Sequence, residues 1–168
     1  MTGNPGSGKS TVAAELARRG FNAVDPDNDP DLSHWQDASG RRVEIQSAPD
    51  EEWLRSHRWV WSRRRLEELL AAGPYPVFVC GIARNQHELL DLFTQVFLLT
   101  IDEETQEHRL MAHDRADPPG RSKAGRQEIS LGRNVFEGEM LRLGATPIDG
   151  RAPTQAVVDE ILAHMRPH

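Results

Sequence analysis

Apolar residues occur along the chain in short blocks that alternate between the spacing of helices and the continuous runs of buried strands. Helical spacing appears at residues 12–17 and again at 157–165. Continuous apolar runs stand at residues 76–80 and 96–101, and such runs are typical of strands buried on both faces. Because strands and helices alternate, the pattern predicts a three-layer, doubly wound α/β domain with a parallel sheet of about five strands.

The segments between these blocks supply the other predicted elements. They are a strand at 21–24, a hairpin or irregular insert at 32–49, a long helix from Pro49 or Asp50 to Gly73, a helix capped by Asp102, a helix from Glu128 to Leu143, a strand at 145–149 and a closing helix capped by Thr154. The long helix would carry three tryptophans, with Trp53, Val60 and Trp61 on one face. Core packing and pocket lining both remain open for them. We expect residues 31–72 to form a substrate-binding insert.

Residues 3–11, GNPGSGKST, fit the phosphate-loop pattern G-x-x-x-x-G-K-[ST] and open the first helix. Glycines there allow successive backbone N–H groups to converge on an anion. Lys9 would reach the terminal phosphates, and the Ser10 hydroxyl would complete a Mg²⁺ shell. The residues predicted to bind the nucleotide here are Gly3, Pro5, Gly6, Ser7, Gly8, Lys9, Ser10 and Thr11. The alternative is a chance glycine-rich turn, and the helix that follows argues against it.

Phosphate loops follow a buried strand, yet only Met1 and Thr2 precede this one. Either the native chain begins a few residues upstream, or the first strand is very short. We favour the first alternative, because a central strand is hard to omit from a parallel sheet that is buried on both faces.

Two carboxylates follow the predicted strand at 21–24. In parallel α/β sheets, ligands bind beyond the carboxyl ends of the strands, so these carboxylates are placed at a ligand site. We assign Asp25 to Mg²⁺, held through water, and Asp27 to the acceptor, whose hydroxyl proton it would accept. The alternative is that these aspartates belong to an acidic surface turn interrupted by prolines, and this alternative explains the presence of Asp29 and Asp31.

Two arginines are candidates for binding an anionic group of the acceptor. Arg58 has no acidic residue three or four positions along its helix, so we assign it to an acidic group of the substrate. Arg84 follows the run at 76–80 and would clamp a phosphate or carboxylate, or else satisfy helix carbonyls. The neighbouring arginines are spaced for ordinary surface ion pairs, Arg63 with Glu67 and Arg64 with Glu68.

Residues 114–126 contain no core residue and carry four basic side chains, Arg115, Arg121, Lys123 and Arg126. We predict a mobile lid that folds over the phosphates, where these four basic side chains would exclude water and neutralise charge during phosphoryl transfer. A solvated loop is the alternative. The positive charge of this segment, within an acidic chain, favours the lid.

The composition limits the classes of function. With 168 residues, of which 38% are hydrophobic, the chain suits one compact domain, residues 1–168. The net charge of −6 and the lack of a large basic cluster argue against nucleic acid as the partner. The single cysteine, Cys80, fits a reducing cytoplasm, and no signal peptide or membrane-spanning run is present in the sequence. We expect a cytoplasmic monomer or small homo-oligomer that contacts a small molecule and no membrane.

The whole pattern resembles the small P-loop kinases, the group that includes adenylate, shikimate and gluconate kinases. This resemblance implies ATP as the phosphoryl donor, with Mg²⁺, and a lid between two late helices. Arg109, in the sequence HRL, matches the arginine that packs on adenine, and Arg115 and Arg121 match lid arginines. Residues 150–153, which include Arg151, match the turn that contacts the base.

The resemblance also bears on the acceptor. Asp25 and Asp27 are similar to the paired aspartates of shikimate kinases, which serve magnesium and the acceptor hydroxyl. Residues 80–84 are similar in placement to the D-G-F-P-R stretch of adenylate kinases and retain Gly81 and Arg84, which are thereby assigned to the acceptor site. Cys80 stands where that stretch has aspartate, which favours a hydroxyl-bearing small molecule or nucleoside over a nucleoside monophosphate.

The sequence therefore predicts an ATP-dependent kinase that acts on a nucleoside, nucleotide or sugar-like alcohol. A regulatory module that binds ATP and hydrolyses it slowly or not at all is the rival hypothesis. GTP is disfavoured, because the sequence has no N-K-x-D motif to read the base.

Overall fold

The computed structural model describes residues 1–45, 49–111 and 123–165. Its helices are α1 (Lys9–Arg18), α2 (Glu51–Ser56), α3 (Arg63–Ala72), α4 (Glu103–Met111), α5 (Lys123–Arg142) and α6 (Thr154–His164), with 3₁₀ helices at Pro26–Asn28 and Gln86–Leu92. The strands are β1 (Thr2–Gly3), β2 (Asn22–Val24), β3 (Ser33–Gln36), β4 (Arg42–Val43), β5 (Arg58–Trp61), β6 (Val77–Val79), β7 (Phe97–Thr100) and β8 (Thr146–Asp149). None of these helices is both long and apolar enough to span a bilayer.

Five of the strands form a parallel sheet in the order β2-β6-β1-β7-β8. Met1 joins β6 to β1, because its amino group donates to the carbonyl oxygen of Val79 (2.6 Å) and its own carbonyl accepts from the N–H of Gly81 (3.1 Å). The predicted parallel sheet of about five strands is therefore confirmed. Strand order reverses at β1, so the crevice beyond its carboxyl end is where such sheets bind ligands.

Helices cover both faces of this sheet, as the prediction of three layers requires. On one face, Leu16 of α1 and Val158 of α6 pack in one buried cluster with Leu99 of β7. Leu98, the preceding residue, points to the other face and packs with Met140 of α5. Side chains alternate along a strand, so a strand covered on both faces has to be apolar at successive positions.

The strand before the phosphate loop, β1, is very short in the described residues. Thr2 and Gly3 alone form β1, and they pair with Leu98 and Leu99 of β7. Together with the hydrogen bonds of Met1 to β6, this pairing places the loop between the two halves of the sheet.

The predicted long helix from residue 49 or 50 to 73 is wrong. The chain forms α2, leaves the helix at His57, forms β5 and begins α3 after Ser62, whose hydroxyl caps that helix. The segment Trp59-Val60-Trp61 is aromatic and β-branched, and such residues favour a strand once a partner strand is present. That partner is β3. The assignment of Trp61 and Val60 to one helical face is wrong as well, because neighbouring residues of a strand point to opposite sides.

The predicted hairpin at 32–49 is confirmed as β3 and β4, joined by a turn at 37–41. With β5 on the other side of β3, these strands form an antiparallel sheet in the order β4-β3-β5, here called the insert sheet. It stands beyond the carboxyl end of the parallel sheet, since Arg84, after β6, donates its backbone N–H to the carbonyl oxygen of Trp59 (2.8 Å).

Two boundaries late in the chain also differ from prediction. Helix α5 begins at Lys123 rather than Glu128, so the last residues of the predicted lid at 114–126 are helical. Helix α6 is capped by Pro153 rather than Thr154, which is its first residue. Asp102 caps α4 as predicted, since its carboxylate accepts a 2.7 Å hydrogen bond from the N–H of Thr105.

Candidate active site

The phosphate-loop sequence lies between β1 and α1, at the centre of the parallel sheet. Gly6 and Gly8 have φ of 89° and 101°, a backbone conformation that favours glycine, and they turn the chain so that α1 begins at Lys9. Among the described residues, no side chain caps α1. The first-turn N–H groups of α1, with the positive end of the helix dipole behind them, therefore suit an anion.

Lys9 lies across this loop. Its ammonium donates to the carbonyl oxygens of Gly3 (2.8 Å) and Asn4 (3.1 Å), so the charge is held at the mouth of the loop. A cation in that place adds to the N–H groups of α1 in attracting phosphate. The predicted contact of Lys9 with the terminal phosphates stays a prediction.

Ser10 and Asp25, the two residues predicted to serve magnesium, line one open groove between α1 and the end of β2. Asp25 also accepts a hydrogen bond from the N–H of Asp27 (3.1 Å), which fixes the start of the 3₁₀ helix Pro26–Asn28. The described residues contain no group of three His, Cys, Asp or Glu side chains that would hold a metal alone. One hydroxyl and one carboxylate fit a Mg²⁺ ion that takes its other ligands from phosphate and water.

Asp27 lies exposed at the same edge, beyond the end of β2. Its Oδ1 accepts a hydrogen bond from the indole Nε1 of Trp59 (3.0 Å). This contact was not predicted from the sequence, because Trp59 was expected in a helix. The alternation of large residues from Trp59 to Trp61, next to a serine cap, is the pattern that would have indicated a strand.

Asp29 has a structural role, as expected for this turn. It accepts two hydrogen bonds from the guanidinium of Arg65 on α3 (Nε 3.1 Å, Nη2 3.0 Å) and one from the N–H of Leu32 (3.1 Å). Burial by itself would raise the pKa of Asp29, but the bonds from Arg65 and the backbone lower the pKa overall. Asp29 therefore ties the turn that carries Asp27 to α3.

The two arginines predicted to bind the acceptor are both exposed. Among the described residues, neither guanidinium makes an ion pair. Arg84 follows β6 beside Trp59, at the edge where Asp27 lies. Arg58 is on β5, and the alternation of side chains places it on the opposite side from Trp59. Gly81, also assigned to the acceptor, packs tightly here, since a Cβ on it would lie 2.8 Å from Cζ2 of Trp61.

Arg109 of α4 lies at the centre of the part of the site that the resemblance assigns to the adenine base. Its Nη1 donates to the carbonyl oxygens of Gly6 (3.2 Å) and Ser7 (3.4 Å), and its Nη2 donates to the carbonyl oxygen of Gly150 (3.0 Å). One guanidinium thus joins the phosphate loop to the turn after β8. Those are the two segments that the resemblance assigns to a nucleotide.

Arg151, in the same turn, is held by two carboxylates. It binds Asp149 through two hydrogen bonds of 2.9 Å and Asp102 through one of 3.0 Å. These partners raise the pKa of Arg151. Hydrogen bonds from the N–H and hydroxyl of Thr105, and then from Arg151, lower the pKa of Asp102 to about 2. The network fixes the turn to the start of α4.

Asn4 of the loop makes a contact that was not predicted from the sequence. It is buried, and its Nδ2 donates to Oε1 of Glu137 on α5 (3.1 Å). Burial raises the pKa of Glu137. The two residues are 133 positions apart, and no periodic pattern relates them. Arg115 and Arg121, the predicted lid arginines, lie outside the described residues.

No protein-family model matches the sequence, and no curated protein matches it. Solved structures are similar to it over nearly its whole length. The structure of deoxyadenosine kinase from M. mycoides with bound dATP has a TM-score of 0.54 at 10% identity, covering 98% of this chain and 96% of that one. TT1252 from Thermus thermophilus has a TM-score of 0.58 at 22% identity, covering 99% and 96%. The chain therefore has the fold of the P-loop kinases.

Proposed function

We propose that this protein transfers the terminal phosphoryl group of ATP to a hydroxyl of a small molecule such as a nucleoside, nucleotide or sugar-like alcohol. The observation that carries this proposal is the phosphate loop itself. Its positive-φ glycines, the uncapped start of α1 and the Lys9 ammonium all lie at the point where strand order reverses. The fold shared with a deoxyadenosine kinase that binds dATP supports a nucleotide as donor and makes nucleosides the first acceptors to test.

In the proposed reaction, the acceptor oxygen forms a bond to the γ-phosphorus while the bond from that phosphorus to the β–γ bridging oxygen breaks. ADP leaves with the electron pair of the broken bond, and the hydroxyl proton passes to the carboxylate of Asp27. Lys9 and the N–H groups of the loop stabilise the charge that develops on the phosphoryl oxygens. Arg115 and Arg121 are proposed to add positive charge from the lid.

Ser10 and Asp25 would hold Mg²⁺ together with the nucleotide, because both line the same groove beside the loop. The ion supplies charge neutralisation on the phosphates. Arg109 and Arg151 are the proposed contacts to the adenine base. Arg109 joins the phosphate loop to the turn after β8, and Arg151 joins that turn to the start of α4. Arg58, Gly81 and Arg84 are the proposed acceptor contacts. The single cysteine supports a reducing compartment such as the cytoplasm.

Replacement of Lys9 tests the proposal. We expect Lys9→Ala to reduce acceptor-dependent ADP release by at least ~100-fold, because a preorganised charge at the transferring phosphate is lost. The matched control is Arg18→Ala, which removes an exposed cation from the other end of the same helix. The assay couples ADP release to a screen of nucleosides, nucleotides, sugars and cyclitols.

Two results would overturn the proposal. One is full acceptor-dependent turnover by a folded Lys9→Ala variant. The other is tight ATP binding by the wild-type protein with no acceptor in the screen accelerating its turnover, which would favour the rival ATP-binding regulatory module. Circular dichroism and thermal unfolding of both variants establish that they are folded.

A further inference from the structure

Trp59 is a rigidly placed side chain beside the carboxylate of Asp27. Its backbone is fixed on both sides, by the register with Trp35 of β3 and by the 2.8 Å hydrogen bond from the N–H of Arg84 to its carbonyl oxygen. The indole packs against the ring of Trp35, with a centroid distance of 5.4 Å. The position of its Nε1 is therefore determined by two neighbouring segments and a ring contact.

Asp27 stands in a 3₁₀ turn of three residues, and its side chain is exposed. The carboxylate of Asp25 holds the backbone N–H of Asp27, whereas the direction of the Asp27 carboxylate depends on its own side-chain torsions. A general base has to point at the proton that it accepts. The 3.0 Å hydrogen bond from Nε1 of Trp59 to Oδ1 of Asp27 fixes one of its oxygens.

We propose that Trp59 is a positioning residue for phosphoryl transfer, because its indole N–H orients the Asp27 carboxylate toward the acceptor hydroxyl. This inference rests on the proposed function. The indole nitrogen is a donor only and takes no proton itself, so Trp59 acts through Asp27. The acceptor site therefore includes the insert sheet, and the identity of residue 59 sets how well the proton acceptor is aligned.

The kinetic test is Trp59→Phe, which keeps an aromatic ring and removes the N–H donor. With the acceptor found in the screen, we expect kcat to fall about tenfold or more while the KM for ATP stays within about twofold, because misalignment of a catalytic group affects the chemical step. Tyr75→Phe is the control. It also removes a hydrogen-bond donor from an aromatic side chain, but Tyr75 is exposed and lies outside the insert sheet, so its kcat stays near that of the wild type.

A spectroscopic test needs no acceptor. The chain has four tryptophans, so a ¹⁵N-labelled sample gives four indole N–H signals in the folded protein. We expect Asp27→Ala, which removes the acceptor, to shift the Trp59 signal, which is the one that Trp59→Phe removes. Asp31→Ala, a control in the following exposed turn, should leave that signal unchanged. If Trp59→Phe does not fold, a shift of one indole signal in Asp27→Ala but not in Asp31→Ala still shows whether the hydrogen bond forms.

The outcomes separate this inference from the proposed function. If Lys9→Ala loses turnover but Trp59→Phe keeps the wild-type kcat, the phosphotransferase proposal stands and the role of Trp59 is refuted. An indole spectrum that is the same in Asp27→Ala and in the wild type also refutes it. If Lys9→Ala keeps full turnover, the proposed function is refuted, and this inference is refuted as well because it rests on that function.

Discussion

Asn85 joins the insert sheet to the sheet that carries the phosphate loop, and its removal tests that connection. Its Oδ1 accepts from the backbone N–H of Trp61 (2.9 Å), and its Nδ2 donates to the carbonyl oxygen of Trp61 (2.9 Å). A single side chain thus provides both hydrogen bonds that a neighbouring strand would provide to the edge of β5. Trp61 is 5% exposed, so water has little access to these backbone groups in its place.

The magnitude follows from these two bonds. Each contributes about 0.5–1.5 kcal/mol net, and a buried backbone group left without a partner costs about 1–3 kcal/mol. We therefore expect Asn85→Ala to lower the free energy of unfolding by about 2–3 kcal/mol. With a urea m-value of about 1.5–2 kcal/mol/M, the midpoint of urea unfolding would fall by roughly 1–2 M.

Asn134→Ala is the control for this experiment, because Asn134 is an exposed side chain on α5. We expect it to change stability by less than about 0.5 kcal/mol. An Asn85→Ala variant within that same range would contradict the conclusion that Asn85 holds β5 in place. A changed m-value would instead indicate that the insert sheet unfolds separately from the rest.

Three further changes test other parts of the structure. Gly81→Ala should lower the free energy of unfolding by about 1–3 kcal/mol in urea, because its Cβ would lie 2.8 Å from Cζ2 of Trp61. Hydrogen bonds from the first turn of α4 and from a neighbouring arginine lower the pKa of Asp102 from its ordinary value of 3.8 to about 2. The ionised Asp102 therefore contributes its full stabilisation above pH 3.8, and this stabilisation is lost as the pH falls toward 2. Asp102→Asn should therefore flatten the acid limb of a plot of Tm against pH. Glu137→Gln keeps an acceptor for Asn4 and should keep ATP affinity, measured by calorimetry, whereas Glu137→Leu should weaken it.

Features encoded by neighbouring residues could be predicted from the sequence. The phosphate loop, the start of α1 and the buried strands β6 and β7 each depend on a contiguous pattern, and all lie where that pattern predicts. The Asp102 cap depends on a residue three positions away. Local hydrogen bonding and hydrophobic burial decide such elements, so no knowledge of the rest of the fold is needed.

Features that depend on a distant partner could not be predicted. Residues 58–61 have apolar content that suits either a helix or a strand, and pairing with β3 decides between them. The contact of Trp59 with Asp27 and that of Asn4 with Glu137 span 32 and 133 positions. Both become visible only when the sheet order is known, because the order brings the ends of separate elements together.

The phosphate loop is contacted by the two helices on either side of residues 112–122. Arg109 of α4 donates to the loop carbonyls of Gly6 and Ser7, and Glu137 of α5 accepts from Asn4. Both helices are therefore bonded to the phosphate site, each through one side chain. Arg115 and Arg121 lie between these helices in the sequence, and their role in neutralising charge on the phosphates stays a proposal.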